Sequence, residues 1–242
     1  MPPSLRAIFL DAAGTLIHLR EPVGETYARI AAAHGVHADP QSLEKAFRTA
    51  WKALPSPLHA QESPPEDDDR SWWRTLVAKT FETAVQQHLK EDDTFEHMFT
   101  AMYEHFANAH AWQLYEDTLP ALRHLKAHDS IRLFVLSNFD RRLHSILNGL
   151  GVAHFFDGVI LSSEVGASKP HLRMFAAALH AAAAPASWCL HIGDDARCDH
   201  DGATAAGMHA MLVDRPEVTL LTIAEKVAQG HFLLASPSKV TT

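Results

Sequence analysis

One stretch near the beginning of the chain, residues 6–16, constrains the fold more than any other. It reads RAIFLDAAGTL, an apolar run that ends on the carboxylate of Asp11. A buried parallel strand has such a continuous apolar sequence, and open α/β sheets bind ligands beyond the carboxyl ends of their strands. Gly14 and Thr15 suit a tight turn, because glycine adopts positive φ and threonine can bond a carboxylate or the turn backbone. We therefore expect Asp11 to lie at the edge of the sheet that binds ligands. On this segment alone, the alternative is a carboxylate that only caps a turn.

Composition argues against several classes of protein. The 242 residues carry a net charge of −8 and contain no Lys/Arg-rich run, so we expect no nucleic-acid partner. We find neither an N-terminal signal pattern nor a run of ~18 apolar residues, and therefore expect a cytoplasmic protein with no membrane partner. Cys189 and Cys198 do not form a CxxC pair, which predicts reduced thiols.

The residues after the Asp11 turn have helical periodicity for nearly a hundred positions. The pattern predicts a helix over residues 25–34, a second that begins at Pro40 after an Asp39 N-cap, a third near Ser71, and a fourth after Asp93. We predict that residues 17–111 form an inserted four-helix bundle.

The remainder of the chain alternates between strands and helices. Apolar runs predict strands at residues 131–136, 158–161, 188–192 and 209–213, in addition to the strand before Asp11. Strands joined by helices form a parallel sheet, so residues 1–16 and 112–242 are predicted to form a doubly wound α/β domain.

Polar side chains follow several of these strands. They are Ser137 and Asn138, Lys169 in the turn after the third strand, and Asp194, Asp195 and Asp199. Carboxylates that meet at one edge of a sheet repel each other and are costly to desolvate without a cation. Mg²⁺ suits such a site, because it takes carboxylates, a carbonyl, waters and phosphate oxygens.

Taken together, these pieces resemble the haloacid dehalogenase-like (HAD) hydrolases over the whole chain. The matching segments are residues 11–15, 137–138, 169–170 and 193–199, and the helical insertion stands where members with a helical cap carry it. Residues 21–27, 71–73 and 137–143 are also similar to one branch of those members, a branch with few settled substrates. The resemblance implies a Rossmann-like core under a helical cap.

The resemblance also implies a role for each candidate residue. Asp11 is the nucleophile that forms a covalent aspartyl intermediate, Ser137 and Asn138 hold the group being transferred, and Lys169 neutralises its charge. The implied ligands of Mg²⁺ are Asp11, the backbone carbonyl of Ala13, and Asp194. The supporting residues are Asp195 and Asp199, together with Thr15 of the turn.

Ala13 departs from the pattern of the family's phosphatases, which carry a second Asp at this position as general acid and base. Loss of a positioned acid typically costs ~10²–10⁴ in rate. We therefore expect a Mg²⁺-dependent phosphatase of weak or narrow activity on a small phosphorylated metabolite. It would act slowly, or on an activated group such as an acyl or aryl phosphate. We expect a monomer or a homodimer.

Three alternatives remain open. L-2-haloacid dehalogenases, which act on halogenated substrates, also lack the second Asp, but they need no metal and do not keep the Gly193-Asp194 pair. Phosphonoacetaldehyde hydrolases have Ala at this position and use a cap lysine, for which Lys52 is the candidate. A binder of phosphorylated ligands that has lost turnover is the third.

Overall fold

The structure is a computed structural model that describes residues 5–57, 64–85, 93–127 and 130–230. Its strands are β1 (Ala7–Leu10), β2 (Ile17–Leu19), β3 (Trp112–Leu114), β4 (Arg132–Ser137), β5 (Gly158–Leu161), β6 (Cys189–Gly193) and β7 (His209–Leu212). Its α-helices are α1 (Val23–Ala33), α2 (Pro40–Ala53), α3 (Arg70–Val85), α4 (Asp93–Ala107), α5 (Thr118–Lys126), α6 (Arg142–Gly149), α7 (Ser162–Val165), α8 (Leu172–Ala182), α9 (Gly202–Ala205) and α10 (Leu220–Ala228).

Five strands form a parallel sheet in the order β5-β4-β1-β6-β7. Strand β1 is central, and Ala7 pairs with Arg132 on one side and with Cys189 on the other. Alternate residues of β1 face opposite layers: Ile8 and Leu10 belong to the core on one face of the sheet, while Ala7 and Phe9 belong to the core on the other. The predicted parallel α/β fold is confirmed.

Helices α1 to α4, which we call the helical insertion, enclose a hydrophobic cluster of their own. The carboxylate of Asp39 accepts a hydrogen bond from the Ser42 backbone N–H (2.8 Å) and so caps α2, whose first residue is Pro40. Gly35 has φ +78° just after α1, where a left-handed residue is needed to end the helix. These two residues therefore define the end of α1 and the start of α2.

A two-stranded antiparallel ribbon of β2 and β3 joins the helical insertion to the sheet, with Ile17 opposite Leu114. Neither strand is predicted from the sequence, because three-residue segments are too short to show a period. The predicted domain limits at residues 17 and 112 fall on this ribbon, and the division into two domains stays a prediction. Within the described ranges, no helix is both long and apolar enough to cross a bilayer.

Candidate active site

Asp11 lies directly after β1, at the carboxyl edge of the sheet. Its backbone N–H donates to the carbonyl of Ile192 (2.9 Å), and its side chain is buried. Gly14 follows with φ +95°, and a Cβ at this position would overlap the carboxylate of Asp194. Only glycine therefore allows the turn to bring these two carboxylates close together.

The buried ammonium group of Lys169 contacts Asp11. Its Nζ donates to Oδ1 of Asp11 (2.8 Å), to Oδ1 of Asp199 (2.6 Å) and to the carbonyl of Leu136 (2.9 Å). These bonds use all three N–H groups of the ammonium. Burial alone would lower the pKa of Lys169, but Asp11 and Asp199 outweigh it and hold that pKa above the ordinary value. The side chain is therefore a fixed positive charge.

Asp199 is held from several directions at once. Its Oδ1 also accepts from Nε2 of the fully buried His191 (2.9 Å), and its Oδ2 accepts from the Asp195 backbone N–H (3.0 Å). Burial would raise the pKa of Asp199, yet the His191 hydrogen bond and the charge of Lys169 hold it below the ordinary value. Burial lowers the pKa of His191, so its ring is neutral at pH 7 and donates through Nε2. Asp199 thus positions Lys169 beside the nucleophile candidate.

A cluster of three carboxylates forms at this edge. Oxygen atoms of Asp11, Asp194 and Asp199 lie within 4.8 Å of one another, which makes the cluster able to bind a metal. Burial of its carboxyl group, followed by the charges of Asp11 and Asp199, raises the pKa of Asp194 to about 6. The hydroxyl of Thr15 donates to Asp194 (3.1 Å), not to Asp11. The donor set is the one that Mg²⁺ prefers in proteins.

Asn138 and Asp195 each make structural contacts that the sequence did not predict. Oδ1 of Asn138 accepts from the Lys169 backbone N–H (2.6 Å), and Nδ2 donates to the Lys169 carbonyl (3.0 Å). Asp195 accepts from the Cys198 backbone N–H (2.6 Å) and caps the π-helical segment Ala196–Asp201. Both residues therefore position parts of the site. The predicted contact of Asn138 and Ser137 with a transferred group stays a prediction.

A cavity of about 810 Å³ lies above the carboxylates, between the sheet edge and the helical insertion. Asp11, Ala13, Ser137 and Lys169 line its floor. Lys52 of α2 lines the same cavity and is exposed at its edge. The volume falls in the range of small-molecule sites. The site can therefore admit a ligand that contacts both the insertion and Asp11.

Arg215 fixes the turn behind Asp11 and was not predicted. Its guanidinium donates to the carbonyls of Gly14 (2.9 Å) and Thr15 (2.8 Å), and it is paired with Asp117 (3.0 Å). It also lies 3.8 Å over the ring of Tyr115. Backbone carbonyls leave no motif in a sequence, so no spacing or composition pattern indicates this contact.

Solved structures with this fold include two classes of hydrolase. A HAD phosphatase from Thermococcus onnurineus is 19% identical, with a TM-score of 0.63, covering 95% of this chain and all of that one. An L-2-haloacid dehalogenase from Xanthobacter autotrophicus is 20% identical, with a TM-score of 0.66, covering 95% of this chain and 84% of that one. Because identities are this low, both likenesses show the fold alone.

Sequence comparison reaches further. The human haloacid dehalogenase-like hydrolase domain-containing protein 3 is 34% identical over 229 residues, which are 95% of this chain and 90% of the relative. The sequence profile of the haloacid dehalogenase-like hydrolases matches residues 5–207. The chain therefore belongs to the haloacid dehalogenase-like hydrolase family and is a hydrolase.

Proposed function

We propose that this hydrolase is a phosphatase that acts through an aspartyl phosphate on Asp11. The observation that carries the proposal is the position of the Asp11 carboxylate, which lies on the cavity floor 2.8 Å from the buried Lys169 ammonium. A carboxylate oxygen of Asp11 attacks phosphorus, and the bond from phosphorus to the leaving oxygen breaks, with the electron pair going to that oxygen. Water then hydrolyses the acyl phosphate, which releases phosphate and restores the carboxylate. Lys169 offsets charge on the transferred group throughout.

The same proposal includes Mg²⁺ as cofactor. Three carboxylates, those of Asp11, Asp194 and Asp199, have oxygen atoms within 4.8 Å of one another, and a cation among them would offset their mutual repulsion. Asp11, Asp194 and the Ala13 carbonyl would hold the ion, while both oxygens of Asp199 already accept hydrogen bonds from protein groups. When bound, the ion supplies Lewis-acid charge next to the phosphoryl oxygens.

The leaving group follows from Ala13. The methyl side chain of this residue lines the cavity and carries no proton to donate. Ester oxygens that depart as stable anions need no proton, whereas alkoxides do. We therefore assign acyl and aryl phosphates as substrates ahead of sugar or alkyl phosphates.

The helical insertion acts in this proposal as the cap over the site. It is anchored to the sheet domain by two hydrogen bonds: Trp73 of α3 donates to the buried carboxylate of Asp140 (2.9 Å), and the carbonyl of Tyr103 in α4 accepts from the guanidinium of Arg142 (3.3 Å). Excluding water from the cavity strengthens the interaction of Lys169 with developing charge.

The substitution Ala13→Asp tests the assignment. It should raise hydrolysis of an alkyl phosphate by at least about tenfold more than that of p-nitrophenyl phosphate, because acid assistance grows with the proton demand of the leaving group. Single-turnover measurements separate this step from hydrolysis of the intermediate, which the new carboxylate would also accelerate.

Asp11→Asn in the parent and in the Ala13→Asp background is the control and should abolish release of phosphate. Release that survives Asp11→Asn would remove Asp11 as nucleophile. Halide release from 2-chloropropionate, or hydrolysis of phosphonoacetaldehyde that depends on Lys52, would instead favour the dehalogenase or phosphonatase chemistry. If the parent and Ala13→Asp both bind Mg²⁺ but hydrolyse no phosphate ester, the chain is a binder of phosphorylated ligands and not a phosphatase.

A further inference from the structure

Aromatic side chains line the cavity on the side of the helical insertion. Those that the helical insertion supplies include Phe47, Trp51, Trp73, Tyr103 and Phe106, which we call the aromatic wall. Among the described residues that line the cavity from the insertion, none is Asp, Glu, Asn or Gln. Arg48 and Lys52 only donate. The hydroxyls of Tyr27 and Tyr103 are few acceptors for a polyhydroxylated ligand, whose unpaired buried hydroxyl groups would be costly.

Trp51 is the unusual member of this wall. It is 47% exposed, although large hydrophobic side chains are rarely so exposed elsewhere in the described chain. Its ring is held in place by Phe47 (centroids 5.9 Å apart) and by Trp73 (5.8 Å). A rigid, partly exposed indole on the wall of a cavity offers a stacking surface at little cost in side-chain entropy.

The two ends of the cavity differ in chemistry. Lys169 and the acidic cluster lie at the floor, whereas the aromatic wall lies on the side of the insertion, and both border the same space of about 810 Å³. Two of the cations near the wall already form ion pairs, Arg142 with Asp140 and Arg48 with Glu44. A ligand matched to both ends carries a phosphoryl group at one end and a flat apolar group at the other.

We propose that the cavity selects an aromatic phosphate, in which the phosphoryl group lies on Asp11 and the aromatic ring packs against Trp51. This inference rests on the proposed phosphatase function, whose substrate class it narrows. Offset or edge-to-face packing of the ring on Trp51 and Trp73 should contribute about tenfold in affinity, equivalent to ~1.4 kcal/mol.

Two non-hydrolysable ligands test the inference without any turnover. Phenylphosphonate and methylphosphonate share the headgroup and differ only by the ring, so the ratio of their dissociation constants measures the contribution of the ring. Titration calorimetry in the presence of Mg²⁺ should give phenylphosphonate at least about tenfold tighter binding to the parent. Trp51→Ala should reduce that ratio to about threefold or less, and Trp51→Phe should restore most of it.

Trp188 provides the matched control. It is 38% exposed and precedes β6, at the amino end of the strands, so Trp188→Ala should leave the ratio unchanged. A parent ratio near one, an unchanged ratio in Trp51→Ala, an equal loss in Trp188→Ala, or no measurable phenylphosphonate binding would each overturn the inference. Release of phosphate from acetyl phosphate that depends on Asp11 reports on the proposed function separately, because that substrate has no ring.

Discussion

Asp69 makes the stability of this protein depend on pH near neutrality. The residue lies just before α3, is only 7% exposed, and lines a small cavity with Asp140 of the sheet domain. Burial, and then the charges of Asp140 and Asp68, raise the pKa of Asp69 from 3.8 to about 7. The native state therefore holds a proton on Asp69 that the unfolded chain releases at lower pH.

The sign and size of the effect follow from this difference in pKa. Between about pH 4 and about pH 7 the folded protein binds more protons than the unfolded chain, so the free energy of unfolding falls as pH rises. Each pKa unit corresponds to ~1.4 kcal/mol, which sets a ceiling of ~4 kcal/mol for the loss across this window. Small movements of the loop that admit water reduce the cost of the charge, and we expect a loss of ~1–3 kcal/mol.

Asp69→Asn isolates this contribution. Asn keeps the shape of the side chain and tolerates the left-handed conformation that Asp69 adopts, with φ +64°. The variant should match the parent in urea unfolding at about pH 3.5, below the pKa of the unfolded carboxyl, and be more stable by ~1–3 kcal/mol at about pH 8. Asp194 also titrates in this range, but it is present in both proteins and cancels in the comparison.

Glu66→Gln removes an equal charge from the same loop at an exposed position and should leave the pH dependence as in the parent. The reasoning is wrong if Asp69→Asn shows the slope of the parent between about pH 4 and about pH 7. It is equally wrong if Glu66→Gln removes as much of that slope.

Two further predictions concern the charges beside Asp11. Millimolar Mg²⁺ should raise the melting temperature of the parent, since a ligand that binds only the native state at a hundredfold excess over Kd stabilises it by ~2.7 kcal/mol. Asp194→Asn should lose most of that shift. An equal shift in the parent and in Asp194→Asn would refute the metal site. Lys169→Met should lower the free energy of unfolding by ~3–5 kcal/mol without Mg²⁺, because Asp11 and Asp199 would lose their buried cation. Urea unfolding measures this difference. A variant as stable as the parent would show that Lys169 offsets little of the carboxylate charge.

The sequence predicted the sheet well because its strands are buried on both faces. The run before Asp11 and residues 133–136 of β4 are continuously apolar, and β6 is interrupted only by the buried His191, as expected for strands covered by two helical layers. The helix ends were also predictable where the chain carries its own signal, as at Asp39 and Gly35. In contrast, the ribbon of β2 and β3 is held by pairing between segments about a hundred residues apart, and no local period reports that.

The site was predictable in its residue types but not in its contacts. A polar residue at the end of a strand indicates which edge of the sheet carries ligands, but not which neighbour it bonds. Thr15 donates to Asp194, and Asn138 holds the backbone of Lys169. His191 was counted only as part of a strand, although its ring supports Asp199 from within the core. These partners depend on the register between strands that are distant in sequence.

Two independent features of the site favour the same kind of substrate. The side chain of Ala13 donates no proton, so the proposed reaction favours a leaving oxygen that departs as a stable anion. A phenol has a pKa of about 10, whereas the pKa of an aliphatic alcohol is close to the value of 15.7 for water. A phenolate therefore departs far more readily than an alkoxide. The ring that makes the anion stable is also the group that Trp51 and Trp73 are placed to contact. If the cavity binds aromatic phosphates and Asp11 accepts their phosphoryl group, the absence of an acid at Ala13 costs the enzyme little on that substrate class.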